Sequence, residues 1–575
     1  MKIVKKKTIV SVLSIAKAYW WSKDKWLAWC LLIGVISLNL GIVYILVQIN
    51  IWQSTFYQVI QNYDQTGFAN AIREFFMLIL YLIVMRGYQI YLRMLLHIRW
   101  RSWITEHYLN NWLHTKTYYR LQLISGEVTD NPDQRVSEDI ELFVALSLKL
   151  SLDLVQDAVT ILSFIFILWK LSGVYFITIW NYQIPIYGSL VWAAILYAAI
   201  GTFCTLKLGR PLITLDFDQQ RYEADFRFSL MRLRENAESI ALYSGENREK
   251  LNFQQRFDRI RNNYLLIAAM RKKLTWLTTG YVHIALILAI IVASPQYFSG
   301  QIHLGQMFQI TDAYRRVQKG FSFVVDSFTR IAEWQAVVCR LNNFLLSMDL
   351  VRVDFPKNYC LNISYPPQAM LTANRLNIYL PNGRPLIKDF SLCLKPAEKI
   401  IIVGPSGCGK STLLRALAGI WPFVSGELAL PKGHKIMFVP QKTYLPLNTL
   451  HEVLLYPNSL RNIKDSTLEA MLITCKLPYL VKKLHTWNNW SQTLSLGEQQ
   501  RIAFAQVLLQ QPDWLFLDES TSALDEKTEK ELYSTLITKL SKASLVSIGH
   551  RHTLIQYHTT KLELDTCGSW RLTST

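Results

Sequence analysis

The sequence predicts an α-helical membrane region of six transmembrane helices followed by an α/β P-loop domain. Three observations predict it: apolar runs confined to roughly the first 345 of 575 residues, cations that alternate with those runs, and a glycine-rich loop set between a β-branched strand and a helix. A chain that is 51% hydrophobic and 13% aromatic is also more apolar than a soluble protein of this length.

The elements follow in order. The stretch KKKTIVSVLSIAKA near the N-terminus has a basic start, a short apolar run and an Ala-x-Ala-like end. It can be read as a signal peptide or as an interfacial basic helix; the second is preferred because a full-length span follows at Trp26 and can itself direct insertion. Apolar runs then cover about Trp26–Val47, Phe75–Met85, Leu154–Leu168, Leu190–Leu206 and Leu277–Ala293. The sixth span is the weakly apolar GQMFQITDAYRRVQKGFSFVVDSF.

A net charge of +19 raises the question of nucleic acid, but the placement of the charges argues against it. No Lys or Arg lies between Lys25 and Arg73, between Lys170 and Lys207, or between Leu274 and Arg315. Cations gather in Lys2–Lys25, Arg86–Lys149 and Lys207–Lys273, the alternation of the positive-inside rule, which puts the N-terminus and two long loops in the cytoplasm. Within those loops, DNPDQRVSEDIELF and EADFRFSLMRLRENAESIALY are too polar to span yet keep helical spacing of apolar residues. They are expected to extend the spans as cytoplasmic helices that can contact the C-terminal domain. The eight cysteines show no metal-ligand spacing and no disulfide framework, which suits a reducing, cytosol-facing location for the C-terminal half.

Domain bounds are expected at 1–345 for the membrane region, 346–365 for a linker through DFPKNYCLNISYPP, and 366–575 for the P-loop domain. There KIIIV, Lys399–Val403, reads as a strand, and Gly404, Pro405, Ser406, Gly407, Cys408, Gly409, Lys410 and Ser411 fit G-x-x-x-x-G-K-[ST], followed by Thr412. In such a loop backbone N–H groups wrap phosphates, the Lys410 ammonium reaches the β- and γ-phosphates, and the Ser411 hydroxyl ligates Mg2+. Further on, WLFLDES is an apolar strand ending in Asp518, placed for the magnesium shell, and Glu519, placed to orient or deprotonate attacking water. The implied ligands are a nucleoside triphosphate, which the resemblance given next makes ATP, and Mg2+. Between these, TLSLGEQQRIAFAQVLL opens a helix with Ser495 as N-cap and Glu498 closing a capping box, so that free N–H groups are gathered at one end. That end attracts phosphate but has neither lysine nor glycine cradle of its own.

A capped Ser-x-Gly-Glu-Gln helix start ahead of the acidic strand resembles the signature motif of ATP-binding-cassette (ABC) ATPases. The resemblance implies that two cassettes face head to tail, so that Ser495, Gly497 and Gln499 of one chain complete the γ-phosphate site of another. One P-loop and one signature per chain then imply a second copy as partner, a homodimer. The same resemblance identifies Gln441 as the Q-loop residue that touches Mg2+, Ser522–Asp525 as the D-loop, with Asp525 at the site, and His550 as the switch histidine at the γ-phosphate. Tyr379 in NIYLPNG is the candidate adenine-stacking aromatic.

AGIWPFVSGEL, LLYPNS, LSLGEQQR and SIGHRHTL look like the D subfamily of ABC transporters and its bacterial relatives. TDNPDQRVSEDIELFV, GRPLITLDFDQQRYEADFRF and RENAESIALYSGE are similar to the membrane domain shared with the SbmA/BacA peptide transporters. The chain departs from the pattern at Gln506 in place of Arg, at Ser520 in place of Ala, and at Leu496 in place of the first signature glycine. What the resemblance implies is a fused permease and ATPase with exporter-type spans, integral to a bacterial inner membrane with its cassette cytoplasmic. It would move a polar or amphipathic small molecule or peptide such as cobalamin, a peptide or an acyl-CoA, with no nucleic-acid partner and membrane lipid around it. An ATP-gated channel or regulatory membrane ATPase is the alternative; a soluble cassette ATPase is disfavoured by the spans.

The sixth span also suggests a substrate path. Counting from Leu304 at ~1.5 Å per residue, Asp312 lies ~12 Å and Lys319 ~22 Å deep, so Arg315, Arg316 and Lys319 fall near mid-membrane. Charges there are expected to face water rather than lipid. Asp312 can pair with Arg316 at i, i+4, which leaves Arg315 and Lys319 without an obvious local acid and aimed at an anionic group on the substrate. The bland reading puts them at the cytoplasmic edge as ordinary positive-inside charges.

Overall fold

The computed structural model describes residues 16–124, 131–172, 174–179, 182–353, 359–457, 463–549 and 551–574. Most of the N-terminal lead-in, five residues of the expected linker, and His550 lie outside the described residues. The chain forms two compact units, one of Met1–Asn110 with Asn131–Leu345 and the other of Asn111–Asp130 with Leu346–Thr575.

In the first unit, five helices among the described residues are long and apolar enough to cross a membrane: α1 (Lys25–Gln61), α2 (Gln65–Leu113), α3 (Ile140–Leu171), α4 (Ser189–Glu235) and α5 (Glu246–Phe298). A two-stranded antiparallel hairpin of β1 (Val174–Ile179) and β2 (Tyr182–Tyr187) connects α3 to α4. The polar loop segments are helical as expected: α4 and α5 run on to Glu235 and from Glu246, and α3 is preceded by a helical stretch from Pro132 with a π-helical turn at Arg135–Asp139.

The sixth helix, α6 (Leu304–Phe321), is too polar to qualify by composition, yet it packs against α1, α3, α4 and α5. Ile310, Ala313, Tyr314 and Val317 are fully buried in one cluster with Phe164, Leu168, Ala194, Ala285 and Ala289. Small residues at the contacts permit close approach. A Cβ at Gly305 would lie 2.1 Å from the Ser54 carbonyl oxygen, and one at Gly320 would lie 2.4 Å from the Ile161 side chain.

The charges of α6 contradict part of the expectation. Asp312 accepts from Arg316 Nε and also from Arg315 Nη2, both at 2.7 Å, and Asn50 Nδ2 of α1 donates to it at 3.1 Å. Arg315 therefore has a local acid, because an i, i+3 pair closes as readily as the i, i+4 pair beside it. Arg315 and Lys319 are both exposed in the single chain, whereas Arg316 lies partly buried over the Phe164 ring. The last helix, α7 (Phe323–Val353), runs through the first eight positions of the expected linker.

The second unit is an α/β domain whose described residues form two main sheets and one short antiparallel pair, Asn448–Thr449 with Trp487–Asn488. In chain order the strands of the two main sheets are β3 (Leu361–Ser364), β4 (Leu371–Tyr379), β5 (Pro385–Leu394), β6 (Lys399–Val403), β7 (Val424–Ala429), β8 (Ile436–Val439), β9 (Trp514–Asp518), β10 (Ser544–Ile548), β11 (Thr560–Leu564) and β12 (Trp570–Ser574). The larger sheet has the order β12-β11-β6-β10-β9-β8, parallel except for β11–β12, and the smaller has the order β3-β7-β4-β5. Runs such as Ile400–Ile402 and Leu515–Leu517 are buried throughout because a parallel sheet is covered on both faces.

Asn111–Asp130 clusters with this unit, although sequence reading assigned cassette contact to the polar stretches after it. Leu123 packs on the core of the domain, and Tyr118 lines a groove of about 860 Å³ with Phe438, Tyr444, Tyr456 and Gln506.

Candidate nucleotide site

β6 delivers the phosphate loop at its C-terminal end, and α8 (Lys410–Leu417) leaves it. Gly404 has no room for a side chain, since a Cβ there would lie 2.4 Å from the Leu564 carbonyl oxygen. Gly407 and Gly409 take φ of 81° and 105°, the left-handed region in which glycine carries no penalty. Lys410 is 6% exposed, and its Nζ donates to the carbonyls of Gly404 at 2.8 Å and Pro405 at 2.9 Å, which folds the ammonium back into the loop.

The acidic pair comes from β9, paired with β10 beside β6. Ser411 Oγ donates to Asp518 Oδ1 at 2.9 Å, so the two oxygens expected to share a cation are already together. Burial raises the Asp518 carboxyl above its ordinary range, with the Ser411 hydrogen bond opposing and the Glu519 charge adding to the rise. A cation there would remove that penalty. Gln441 Nε2 donates to Glu519 Oε2 at 2.9 Å. Ser411, Gln441 and Asp518 thus supply oxygen donors, the set Mg2+ prefers, and the loop supplies a cradle that Cβ atoms would fill, so the residues fit both ATP and Mg2+. Glu519 itself adopts φ 45°, rare for a residue with a side chain, and its N–H donates to the Ile548 carbonyl at 3.2 Å. Such backbone strain concentrates where a side chain must be aimed.

The signature helix, α9 (Leu496–Gln510), has the predicted cap: Ser495 Oγ accepts from the Glu498 N–H, and the Glu498 carboxylate accepts from the Ser495 N–H at 2.8 Å. Tyr479 donates a further hydrogen bond to Glu498. Burial works against that carboxylate's charge, but the bonds from Tyr479 and Ser495 hold it below the ordinary range. Among the described residues no hydrogen bond joins this helix start to Gly404–Thr412. Gln499 is buried and donates to the Ser491 and Leu494 carbonyls, both at 2.9 Å, so in the single chain it braces the helix entry rather than facing outward.

Asp525 caps α10 (Glu526–Lys539) by accepting from the Thr528 N–H at 2.8 Å. Tyr379 ends β4, half-buried, its ring tilted against Tyr359 at 5.0 Å. Of the three departures, Gln506 donates to the Val453 carbonyl at 2.8 Å, Ser520 donates to the Val439 carbonyl at 3.3 Å, and Leu496 is exposed. Gln500, Thr521, Glu529 and Arg551, none of them among the residues expected at the site, surround the Ser522–Asp525 turn. Only the adjacency of Arg551 to His550 signalled any of them.

Two family descriptions match the chain: ABC transporter transmembrane region 2 over residues 15–298 and ABC transporter over residues 387–522. An Arabidopsis thaliana protein named ABC transporter D family member 2, chloroplastic, is 32% identical over 638 residues, covering 97% of this chain and 87% of that one. The human lysosomal cobalamin transporter ABCD4 is 27% identical over 594 residues, covering 96% and 93%. Among solved structures, a bacterial Atm1-family ABC exporter with ATP bound shares the fold with a TM-score of 0.72 and 17% identity, each chain covered to 95%.

Proposed function

The chain belongs to the ABC transporter family, and from that premise we propose that it is an ATP-hydrolysing half-transporter that works as a dimer of two copies. The observation that carries this reading is the Ser495-capped helix start, a phosphate-attracting end with no hydrogen bond to its own P-loop. In the dimer that end completes the site of the second copy.

Within each composite site the roles divide by chemistry. The loop Gly404–Thr412 holds the phosphates, and Lys410 turns from the Gly404 and Pro405 carbonyls to the β- and γ-oxygens. Ser411, Asp518 and Gln441 would hold Mg2+, which would neutralise phosphate charge there. Glu519 orients the attacking water and takes its proton, while His550 and the partner's signature serine and glycine face the γ-phosphate. Tyr379 stacks on adenine, and Asp525 lies at the dimer contact. Closure of the two cassettes tilts the spans and hydrolysis resets them, which gives alternating access.

The exposed face of α6, with Arg315 and Lys319, lines the substrate path. Asp312 neutralises part of the charge of Arg315 and Arg316, which leaves the lane cationic and suited to a substrate bearing phosphate or carboxylate. Cobalamin, named for the human relative, is one such substrate class; an acyl-CoA is another. The charge pattern of the sequence supports a cell membrane with the cassettes on the cytoplasmic side.

Reconstitution tests the reading. Sealed vesicles carrying the purified protein are expected to move a stimulating ligand against its gradient only with hydrolysable ATP. Ligand flux that runs only downhill, gated by ATP, would instead identify a channel.

A further inference from the structure

Glu529 is a carboxylate where packing asks for none. It is 1% exposed on α10 among Leu532, Tyr533 and Leu536, which are buried in the main core of the domain. A buried charge is costly unless hydrogen-bonded, so its partners indicate why it is kept. Thr521 Oγ1 donates to it at 2.6 Å, Thr553 Oγ1 at 3.1 Å and Arg551 Nη1 at 3.5 Å. The same guanidinium reaches the Ser522–Asp525 turn, Nη1 donating to the Leu524 carbonyl at 2.8 Å and Nη2 to the Ser522 carbonyl at 3.5 Å.

The turn is held from its other side by the signature helix. Gln500, 1% exposed, donates to Ser522 Oγ at 3.2 Å and accepts from the Ala523 N–H at 3.0 Å. A Cβ at Gly497 would lie 3.1 Å from the Ala523 carbonyl oxygen, so the turn and the helix start are in close contact. Arg551 and Thr553 belong to the segment that directly follows His550. A continuous set of hydrogen bonds therefore runs from that segment through Glu529 and Arg551 into the turn, and through Gln500 to the helix that carries Ser495 and Gly497.

We propose that Arg551 and Glu529 are positioning residues that set the Ser522–Asp525 turn, and with it the half-site this chain presents to its second copy. This rests on the two-copy reading above. A guanidinium suits this because its donors sit on separate nitrogens of one rigid plane, so that Nη1 serves Glu529 and the Leu524 carbonyl while Nη2 reaches the Ser522 carbonyl, a span that a compact ammonium lacks. The consequence is an effect in trans: disturbing Arg551 in one chain damages hydrolysis at the site whose P-loop belongs to the other.

Mixed dimers test this. A chain carrying Lys410→Ala paired with one carrying Ser495→Arg has a single intact site, built from the P-loop of the second and the signature and turn of the first. Arg551→Ala placed on the Lys410→Ala chain is expected to lower kcat about tenfold or more with little change in the KM for ATP, as a misplaced half-site should. Placed on the Ser495→Arg chain it is expected to leave most of the activity. Glu529→Gln should repeat this asymmetry, which keeps the test decisive if Arg551→Ala folds poorly, and Arg551→Lys should fail to rescue. Equal losses in both arrangements, or a loss only on the Ser495→Arg chain, would overturn the proposal. If the mixed dimer without Arg551 or Glu529 changes is inactive despite proven assembly, the two-copy site itself fails.

Discussion

Arg340 grips Asp139 with two parallel hydrogen bonds, Nε to Oδ2 at 2.9 Å and Nη2 to Oδ1 at 2.6 Å, tying α7 to the π-helical turn ahead of α3. Arg135 donates to the same carboxylate, which is 2% exposed. The last helix before the cassette is thus fastened to the start of the third span through one buried acid. Asp139→Asn is expected to destabilise the membrane unit by about 3 kcal/mol, the low end for a broken buried ion pair because Arg340 keeps some solvent. The thermal midpoint of purified protein in detergent reads this out; an unchanged midpoint would show that the clamp contributes nothing.

Glu519→Gln should bind ATP with near-normal affinity and lose about 10²–10⁴-fold in turnover, the range for removing a general base. Lys410→Ala should weaken nucleotide binding itself. Fluorescent-nucleotide binding beside phosphate release separates the two, and near-normal turnover in the Glu519 variant would remove that residue from catalysis.

Arg315→Gln combined with Lys319→Gln should raise the apparent KM for transport of an anionic substrate by about tenfold or more, as loss of charge-assisted contacts would. Asp312 keeps its bonds from Arg316 and Asn50, so the helix is expected to stay folded. Uptake in vesicles measures this, and unchanged transport of an identified anion would exclude the lane.

His558 links cassette stability to acid. It is buried, its Nδ1–H donates to the Leu554 carbonyl at 2.8 Å, and its Nε2 accepts from the Ser547 hydroxyl at 3.0 Å, an arrangement that satisfies the neutral ring. Burial pushes its pKa down from 6.5 to about 4. A depressed histidine favours the fold fully above pH 6.5 and loses that contribution as pH falls toward 4, about 3 kcal/mol in all. Denaturant melts between pH 7 and 4 should show the loss, and His558→Gln should flatten it.

Gly320→Val should disrupt assembly of the membrane unit, since even a Cβ would meet Ile161 at 2.4 Å. A cost of about 1–3 kcal/mol is expected for such overpacking, visible as a lower yield of monodisperse protein.

Of the candidate nucleotide site, the local geometry was legible because phosphate chemistry dictates residue types: a glycine loop between strand and helix, an acidic pair at a strand end, and a Ser–Glu capping box whose hydrogen bonds the structure reproduces. Local rules of this kind survive without tertiary information. The pairing of Arg315 with Asp312 was missed because helical spacing offers two acceptable partners and does not choose between them. Which segment joins the cassette was missed for a different reason: Tyr118, Tyr119 and Leu123 look like any short amphipathic stretch until the surface they meet is known. Glu529 was invisible because a lone glutamate one turn after a helix cap is ordinary in sequence and unusual only once its burial is seen.

The polarity of α6 has a consequence for how the chain is made. With Asp312, Arg315, Arg316 and Lys319 in 18 residues, the segment cannot leave the protein-conducting channel for lipid as an isolated helix. It becomes acceptable to the bilayer only when Asn50 is there to bond Asp312 and the alanines of α5 are there to receive its apolar side. Insertion of the sixth helix is therefore expected to follow the gathering of the earlier ones, and substitutions in α1 or α5 that spare the finished fold are expected to reduce expression by closing that docking site during synthesis.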